Sequence, residues 1–515
     1  MDSKQSGSSR RRAGAVVSYI YMVAQVVVQL VYVPLLLSGI GQEEYGLYQL
    51  VGSIMSYVVS INSVLAAGVG RYYCMYRAEN DQEHAENTLA IAKRLYWILS
   101  GVSIVSALIL SAVVRVVYQN SFTPDQINEC VLMLFVLGVN TAVTMNNTVN
   151  IAAITAEERF VFLKSSQLIT LVVQPLMVVM LMNFFPNALM VSLVVLAMNA
   201  LCAGIQRVYA QGFLKVSYRY HGWDKKLVRG LLGFSVSIVM VVIADQINWR
   251  AGQLIIGYMF GAGLVAVYAV GAQIYTAYMN IGTVVTSVFL PRVSELYHGE
   301  HDFSALSALY AKIGRITFLI CGTVLGAFLI VGPDFMNAWA GDGYIEAYYV
   351  ASLVMISLTV DVAQNLSNTI MQVADKYYFR GVVMLVLGVV NVIVSILLVP
   401  IVGIVGAALS TAMVLLVGNG IFVNWYLARR IGIDVRKFWA EVGELLPAFL
   451  LSMACAWIAY HFIRMFGVSL LFVAAGVLVY LVVYFIAMSR FGFNAYERGL
   501  VNQVLGKVTR GLLQI

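Results

Sequence analysis

The chain has 515 residues, 61% of them hydrophobic and only 11% charged, with a formal net charge of +7. So apolar a composition excludes a disordered chain and an ordinary soluble domain, and with no basic stretch interleaved with aromatics in a soluble module the positive charge points to anionic lipid heads rather than nucleic acid. Five scattered cysteines (Cys74, Cys130, Cys202, Cys321 and Cys455), without a CxxC, provide neither a disulfide framework nor a zinc site.

Fourteen apolar segments follow one another, each near the roughly 20 residues that a helix needs to cross ~30 Å of hydrocarbon. The first, 13–37, follows Arg10, Arg11 and Arg12. It is longer than a signal-peptide core and lacks a small-residue cleavage site, so it is read as a retained helix. Ser18, Tyr21, Gln25, Gln29 and Tyr32 share one of its faces, and Pro34 is a candidate hinge. The second, 45–67, carries Ser53, Ser56, Ser60 and Ser63, small residues that suit close helix packing. After 95–117 comes 128–154 with Asn140, Thr144 and Asn147, then 162–184 with Pro175, and 188–209.

The seventh segment, 231–257, contains Asp245-Gln246-Ile247-Asn248-Trp249-Arg250. Asp245 and Asn248 share a face, while Arg250 points elsewhere and is placed to snorkel outward. Asp245 is either a structural partner for a neighbouring helix or a group that handles an ion or substrate. The eighth, 264–290, presents Gln273, Thr276, Asn280, Thr283 and Ser287, and the tenth, 347–371, presents Ser357, Asp361, Gln364, Asn365, Asn368 and Gln372. Segments 313–331, 381–399, 404–427, 445–463 and 469–488 complete the set. Amide stripes on the first, eighth and tenth spans are larger than packing requires and predict a water-filled cavity. Only helices or closed barrels satisfy their backbone in lipid, and no barrel alternation is present, so the expected fold is an all-α polytopic membrane protein.

Of the 32 Lys and Arg, 29 fall in the tails and on alternate connections; Arg115, Arg250 and Arg464 are the exceptions. The positive-inside rule makes that side cytoplasmic, with both termini on it. Arg71, Arg207, Arg292 and Arg380 would ring the cytoplasmic mouth of the cavity. The chain also repeats weakly: Gly41 to Tyr48 lines up with Gly261 to Tyr268, with Gly and Tyr matched at equivalent topological positions. The parse is a basic tail (1–12), two pseudo-repeated six-helix lobes (13–229 and 230–440) around a central cavity, two further helices (441–489) and a cytoplasmic tail (490–515).

The longest connections, near 71–94, 207–229 and 292–312, are about twenty residues each, too short for a soluble catalytic domain. There is no GxxxxGK[ST], HExxH or GxSxG, so neither ATP hydrolysis nor an intramembrane enzyme is expected, and no cofactor. The run His298-Gly299-Glu300-His301-Asp302 is read as a solvated loop and not as a metal cage.

Gly39-Ile40-Gly41-Gln42-Glu43-Glu44-Tyr45-Gly46-Leu47-Tyr48 resembles the entry signature of polysaccharide-biosynthesis proteins, the oligosaccharide flippases of the multidrug/oligosaccharidyl-lipid/polysaccharide exporter superfamily. Asp245 to Trp249, Leu254 to Gly257, Val265 to Tyr268, Leu290-Pro291-Arg292, and Asn391 with Val399 to Ala408 are similar to that family's later landmarks. The resemblance implies fourteen helices, a lipid-linked oligosaccharide on a polyprenyl-type carrier as substrate, and flipping to the outer leaflet of an inner or plasma membrane by alternating access. It also implies membrane lipids as partners, with glycosyltransferases and a polymerase of the same pathway. Some relatives place arginines in the first span to hold pyrophosphate, where this chain has Gln25 and Gln29, and Gly252 stands where a family-like acid closes the seventh span. The alternatives are a cation-coupled multidrug antiporter of the same superfamily and a non-transporting scaffold for glycan assembly.

Overall fold

The computed structural model describes residues 2–233, 236–287, 289–467 and 469–508. Among them there is no β-strand, and thirteen helices are long and apolar enough to cross a membrane. The predicted seventh span also forms a helix but is not one of the thirteen, because Asp245, Gln246, Asn248, Arg250 and Gln253 dilute its hydropathy. Residues 234–235 of that span, and 509–515 of the expected C-terminal tail, lie outside the described residues. The protein is an all-α, multi-pass membrane protein with about fourteen membrane helices.

In chain order the helices are α1 (Asp2–Ile40), α2 (Gln42–Ala78), α3 (Gln82–Val117), α4 (Pro124–Ala156), α5 (Phe160–Met182), α6 (Ala188–Val208), α7 (Lys225–Gly233), α8 (Val236–Phe260), α9 (Ala262–Ser287) and α10 (Leu290–Ser294). Then come α11 (Phe303–Ala340), α12 (Ile345–Ala363), α13 (Leu366–Val373), α14 (Tyr377–Val402), α15 (Val405–Leu415), α16 (Asn424–Tyr426), α17 (Val435–Gly443), α18 (Leu446–Arg464), α19 (Leu470–Ala487) and α20 (Ala495–Val508). Wider turns with i→i+5 hydrogen bonds extend several of them, including Tyr209–Phe213 after α6 and Leu416–Val423 after α15.

Two long predicted connections are mostly helical. α2 runs on to Ala78 and α3 starts at Gln82, so only residues 79–81 join them. Asp81 makes this possible by accepting the His84 amide at 3.0 Å and capping α3. Asp302, from the His-rich run, caps α11 in the same way through Ala305 at 2.8 Å, and His298 Nε2 meets the Val373 carbonyl at 3.0 Å. In the 207–229 connection, α7 is amphipathic and buries Leu227 and Leu231 against Leu65, Val69, Leu89 and Met145.

The chain forms two compact units, Met1–Ala269 and Val270–Ile515. In the first, α3 and α4 pack through small residues: Ser103 Oγ donates to the Gly138 carbonyl and Ser100 Oγ to that of Ala142, each at 3.2 Å. The matched glycines of the repeat form equivalent turns, with φ of 87° at Gly41 and 82° at Gly261, a left-handed region open to glycine at no steric cost. The two turns touch, since Gln42 Nε2 donates to the Gly263 carbonyl at 2.9 Å and a Cβ on Gly46 would overlap the Ala262 carbonyl oxygen.

In the second unit α11 is pinned at both ends by charge. Arg315, 1% exposed, binds Glu497 of α20 at 2.8 and 3.0 Å, Glu444 at 2.9 Å and the Gly492 carbonyl at 2.9 Å. At the other end buried Asp334 accepts Tyr460 Oη at 2.9 Å and lies 3.1 Å from Arg464 of α18. Arg464, one of the three exceptions to the cation pattern, therefore has a carboxylate partner. α9 lies close on α12 at Gly271, where a Cβ would come within 2.7 Å of the Ala347 carbonyl oxygen.

Candidate functional site

The predicted tenth span is not one helix. α12 stops at Ala363, and the chain turns through Gln364 and Asn365 with i→i+3 hydrogen bonds (Asn365 N to Val362 O at 3.2 Å, Asn368 N to Asn365 O at 3.1 Å) before α13 begins. Neither proline nor glycine stands at the break. Two carboxamides, Gln364 and Asn365, do. Interrupted spans that present polar side chains and freed backbone groups are a recurring way of building sites inside membranes.

Four side chains predicted on that span or near it converge there. Asp361, in the last turn of α12, lies 3.9 Å from Arg380 in the first turn of α14. Arg380 donates to Asn368 Oδ1, Asn368 Nδ2 to Asn365 Oδ1 at 2.6 Å, and Asn365 Nδ2 to Thr286 Oγ1 of α9 at 2.9 Å. The cluster is only partly shielded, with side-chain exposures of 16% for Asp361 and 12% for Arg380. Gln364, 1% exposed, has hydrogen-bond capacity to spare at both amide atoms, which is uncommon for a buried polar group. Loosely paired opposite charges with amides beside them can exchange partners: a cation or proton on the carboxylate would release the guanidinium for an anion.

In the first unit the α4 stripe is engaged with α5 and α6. Asn140 Oδ1 accepts from Asn199 at 2.9 Å, Thr144 Oγ1 donates to the Thr141 carbonyl at 3.0 Å, and buried Asn147 donates to Gln206 at 2.7 Å. Gln206 continues to Ser166 Oγ at 2.9 Å, while Asn150 joins Asn147 at 3.1 Å and receives Tyr218 Oη at 2.8 Å. Gln206 and Asn199 escaped the sequence reading, although their spacing of seven places both on one helical face.

The α8 residues divide. Asn248 is buried and donates to the Ala244 carbonyl of its own helix at 2.9 Å, whereas Asp245 and Arg250 are half-buried. Gln253, two helical turns beyond Asp245, was also missed; it is 1% exposed and accepts the Ser53 hydroxyl of α2. Ser56, Ser60 and Ser63 bond to carbonyls three residues back, each at 2.7 Å. On α1 Gln25 is exposed and Gln29 half-buried, and on α9 Gln273 is half-buried and Asn280 exposed.

Of the arginines expected at one mouth, Arg71 and Arg207 are exposed in the first unit. Arg292, exposed in the second, pairs with Glu295 at 2.7 Å and Glu300 at 2.9 Å, and these bonds hold its guanidinium above the ordinary arginine range. Arg380 belongs to the Asp361 cluster. Among the described residues no group of three or more His, Cys, Asp or Glu is arranged to hold a metal ion.

A family model described as polysaccharide biosynthesis protein matches residues 36–348. The fold is similar to that of a lipid II flippase MurJ in an inward closed conformation, with a TM-score of 0.71 at 10% identity, covering 95% of this chain and 99% of that one. It is also similar to an inward-facing multidrug resistance MATE family transporter of the MOP superfamily (TM-score 0.61, 12% identity, 78% and 93% covered). A third similar structure is the MATE multidrug transporter DinF-BH (TM-score 0.59, 14% identity, 84% and 96% covered). No curated protein matches the sequence significantly.

Proposed function

This chain belongs to the polysaccharide biosynthesis protein family, and from that premise we propose that it flips a lipid-linked oligosaccharide from the cytoplasmic to the outer leaflet by alternating access. The reading places both termini in the cytoplasm of a cell with the protein in its inner or plasma membrane, and the product feeds cell-surface polysaccharide export. The observation that carries it is the family match, which begins in the first span and runs through both matched turns. The similarity to a flippase over nearly the whole chain, against about four-fifths for the drug transporter, also favours it.

The physics requires such a protein. A sugar head loses its water partners in hydrocarbon, at several kcal/mol per unsatisfied hydroxyl, so a polar path must replace water while the lipid tail stays in the bilayer. In this reading Arg380 meets the anionic linkage of the substrate and Asp361 competes with it for the guanidinium. Proton or cation binding at Asp361 then frees Arg380 to bind, and loss of that cation restores the pair and expels the head. An inside-negative potential favours outward movement of the substrate's negative charge by ~2.3 kcal/mol per 100 mV for each charge not matched by a cation carried with it.

Deleting the gene tests this: lipid-linked glycan should accumulate on the cytoplasmic leaflet, and unchanged surface polysaccharide in a clean deletion would sink the reading. The second reading, a cation-coupled multidrug antiporter, draws support from the drug-transporter folds. Uptake of fluorescent organic cations by vesicles containing the purified protein would favour it.

A further inference from the structure

The first unit carries a chamber that includes Arg207, expected at the cytoplasmic mouth, but that the exchange between Asp361 and Arg380 does not use. Between α3, α4 and α6 lies a cavity of about 530 Å³ on which Lys93, Arg207, Tyr218, Asn146 and Gln211 converge. Its lining includes two cations and no carboxylate, and neither Lys93 nor Arg207 pairs with an acid among the described residues. Tyr218 is held in place by its bond to Asn150, and Lys93 Nζ stands 5.3 Å from the centre of the Tyr218 ring. Two unneutralised cations beside neutral amide and phenol groups are a recognition set for a phosphate.

Ala200 and Gly204 of α6 line this cavity and also a neighbouring groove of about 710 Å³. That groove is apolar. Its wall is a stack of Phe162, Tyr209 and Phe213 with ring centroids 3.6 and 5.1 Å apart, and Leu201 and Val208 stand exposed along it. A small-residue strip therefore joins a cationic chamber to an apolar trough on the surface of one membrane helix. We infer that this is a binding site for a phosphate-headed lipid, with the head in the Lys93–Arg207 chamber and the hydrocarbon tail along the aromatic trough. The trough is the reason for choosing a lipid over free phosphate, because phosphate alone has no use for an apolar channel contiguous with its site.

The test is native mass spectrometry of the purified full-length protein titrated with phosphatidylglycerol, with inorganic phosphate as competitor. The double variant K93Q/R207Q should weaken lipid retention about tenfold through the lost charge. Gly204→Leu places its side chain in open space, since a Cβ there meets nothing within 4 Å, so it should fold normally and block the trough, with a comparable loss. Inorganic phosphate should fail to displace the lipid. Unchanged retention in both variants, or displacement by inorganic phosphate as effective as by a second lipid, would overturn the inference. Flipping is no part of the readout, so the outcome is independent of the transport reading.

Discussion

Asp361 and Arg380 face each other at 3.9 Å across the break between α12 and α13, with Asn368 bridging from the arginine to Asn365. The pair is too loose for a bidentate salt bridge and too shielded to be a surface one. That combination suits groups that change partners during a cycle.

Asp361→Asn and Arg380→Gln should each lower flipping about tenfold, ~1.4 kcal/mol of lost stabilisation, while the protein still elutes as a folded monodisperse peak. If the pair only stabilised the fold, the double variant would flip normally, because neither charge would be left alone. Normal flux in both single variants would return the pair to a packing role.

Gly46 meets the Ala262 carbonyl backbone to backbone. A side chain there must push apart two helix turns that have no flexible group to give way, so Gly46→Val should sharply lower the melting temperature of the detergent-solubilised protein. Gly41→Ala has open space around it but a φ of 87° and ψ of 169°, a region essentially confined to glycine, and should cost about 1–3 kcal/mol. Equal melting of Gly46→Val and wild type would contradict the close approach.

Removing Arg315 strands Glu497, which is 4% exposed, without its counter-charge. Arg315→Met should destabilise by ~3–5 kcal/mol, and Arg315→Met/Glu497→Leu should recover most of it, because two buried charges are then replaced by apolar packing. Limited proteolysis of α20 provides the check, with faster cleavage in the single variant than in the double.

Ser53 and Gln253 join α2 to α8 inside the first unit. Hydrogen bonds of this kind average ~0.6 kcal/mol in membranes, so Ser53→Ala should shift stability only slightly and leave transport intact. A large transport defect with unchanged melting would move the serine stripe from packing to function.

Hydropathy located most of the membrane-crossing helices, because burying a backbone in lipid leaves few choices of structure. The extensions of α2 to Ala78 and of α3 back to Gln82 were not legible, since polar residues such as Gln82 and Glu86 dilute hydropathy while capping and helix propensity carry the helix onward. Nor was the stop at Gln364, where no proline or glycine announces it. Asp361 stood out as a charge within a span, but its meeting with Arg380 depends on how the chain returns through α13. The pairing of Ser53 with Gln253, 200 residues apart, is likewise tertiary and leaves no local trace.

The most direct test uses proteoliposomes loaded with a fluorescent lipid-linked oligosaccharide, with a membrane-impermeant glycan-oxidising or lectin reagent to read the leaflet. The account predicts protein-dependent movement of the sugar head between leaflets, reduced in Asp361→Asn and Arg380→Gln. No movement of the head, together with robust transport of organic cations by the same vesicles, would contradict it.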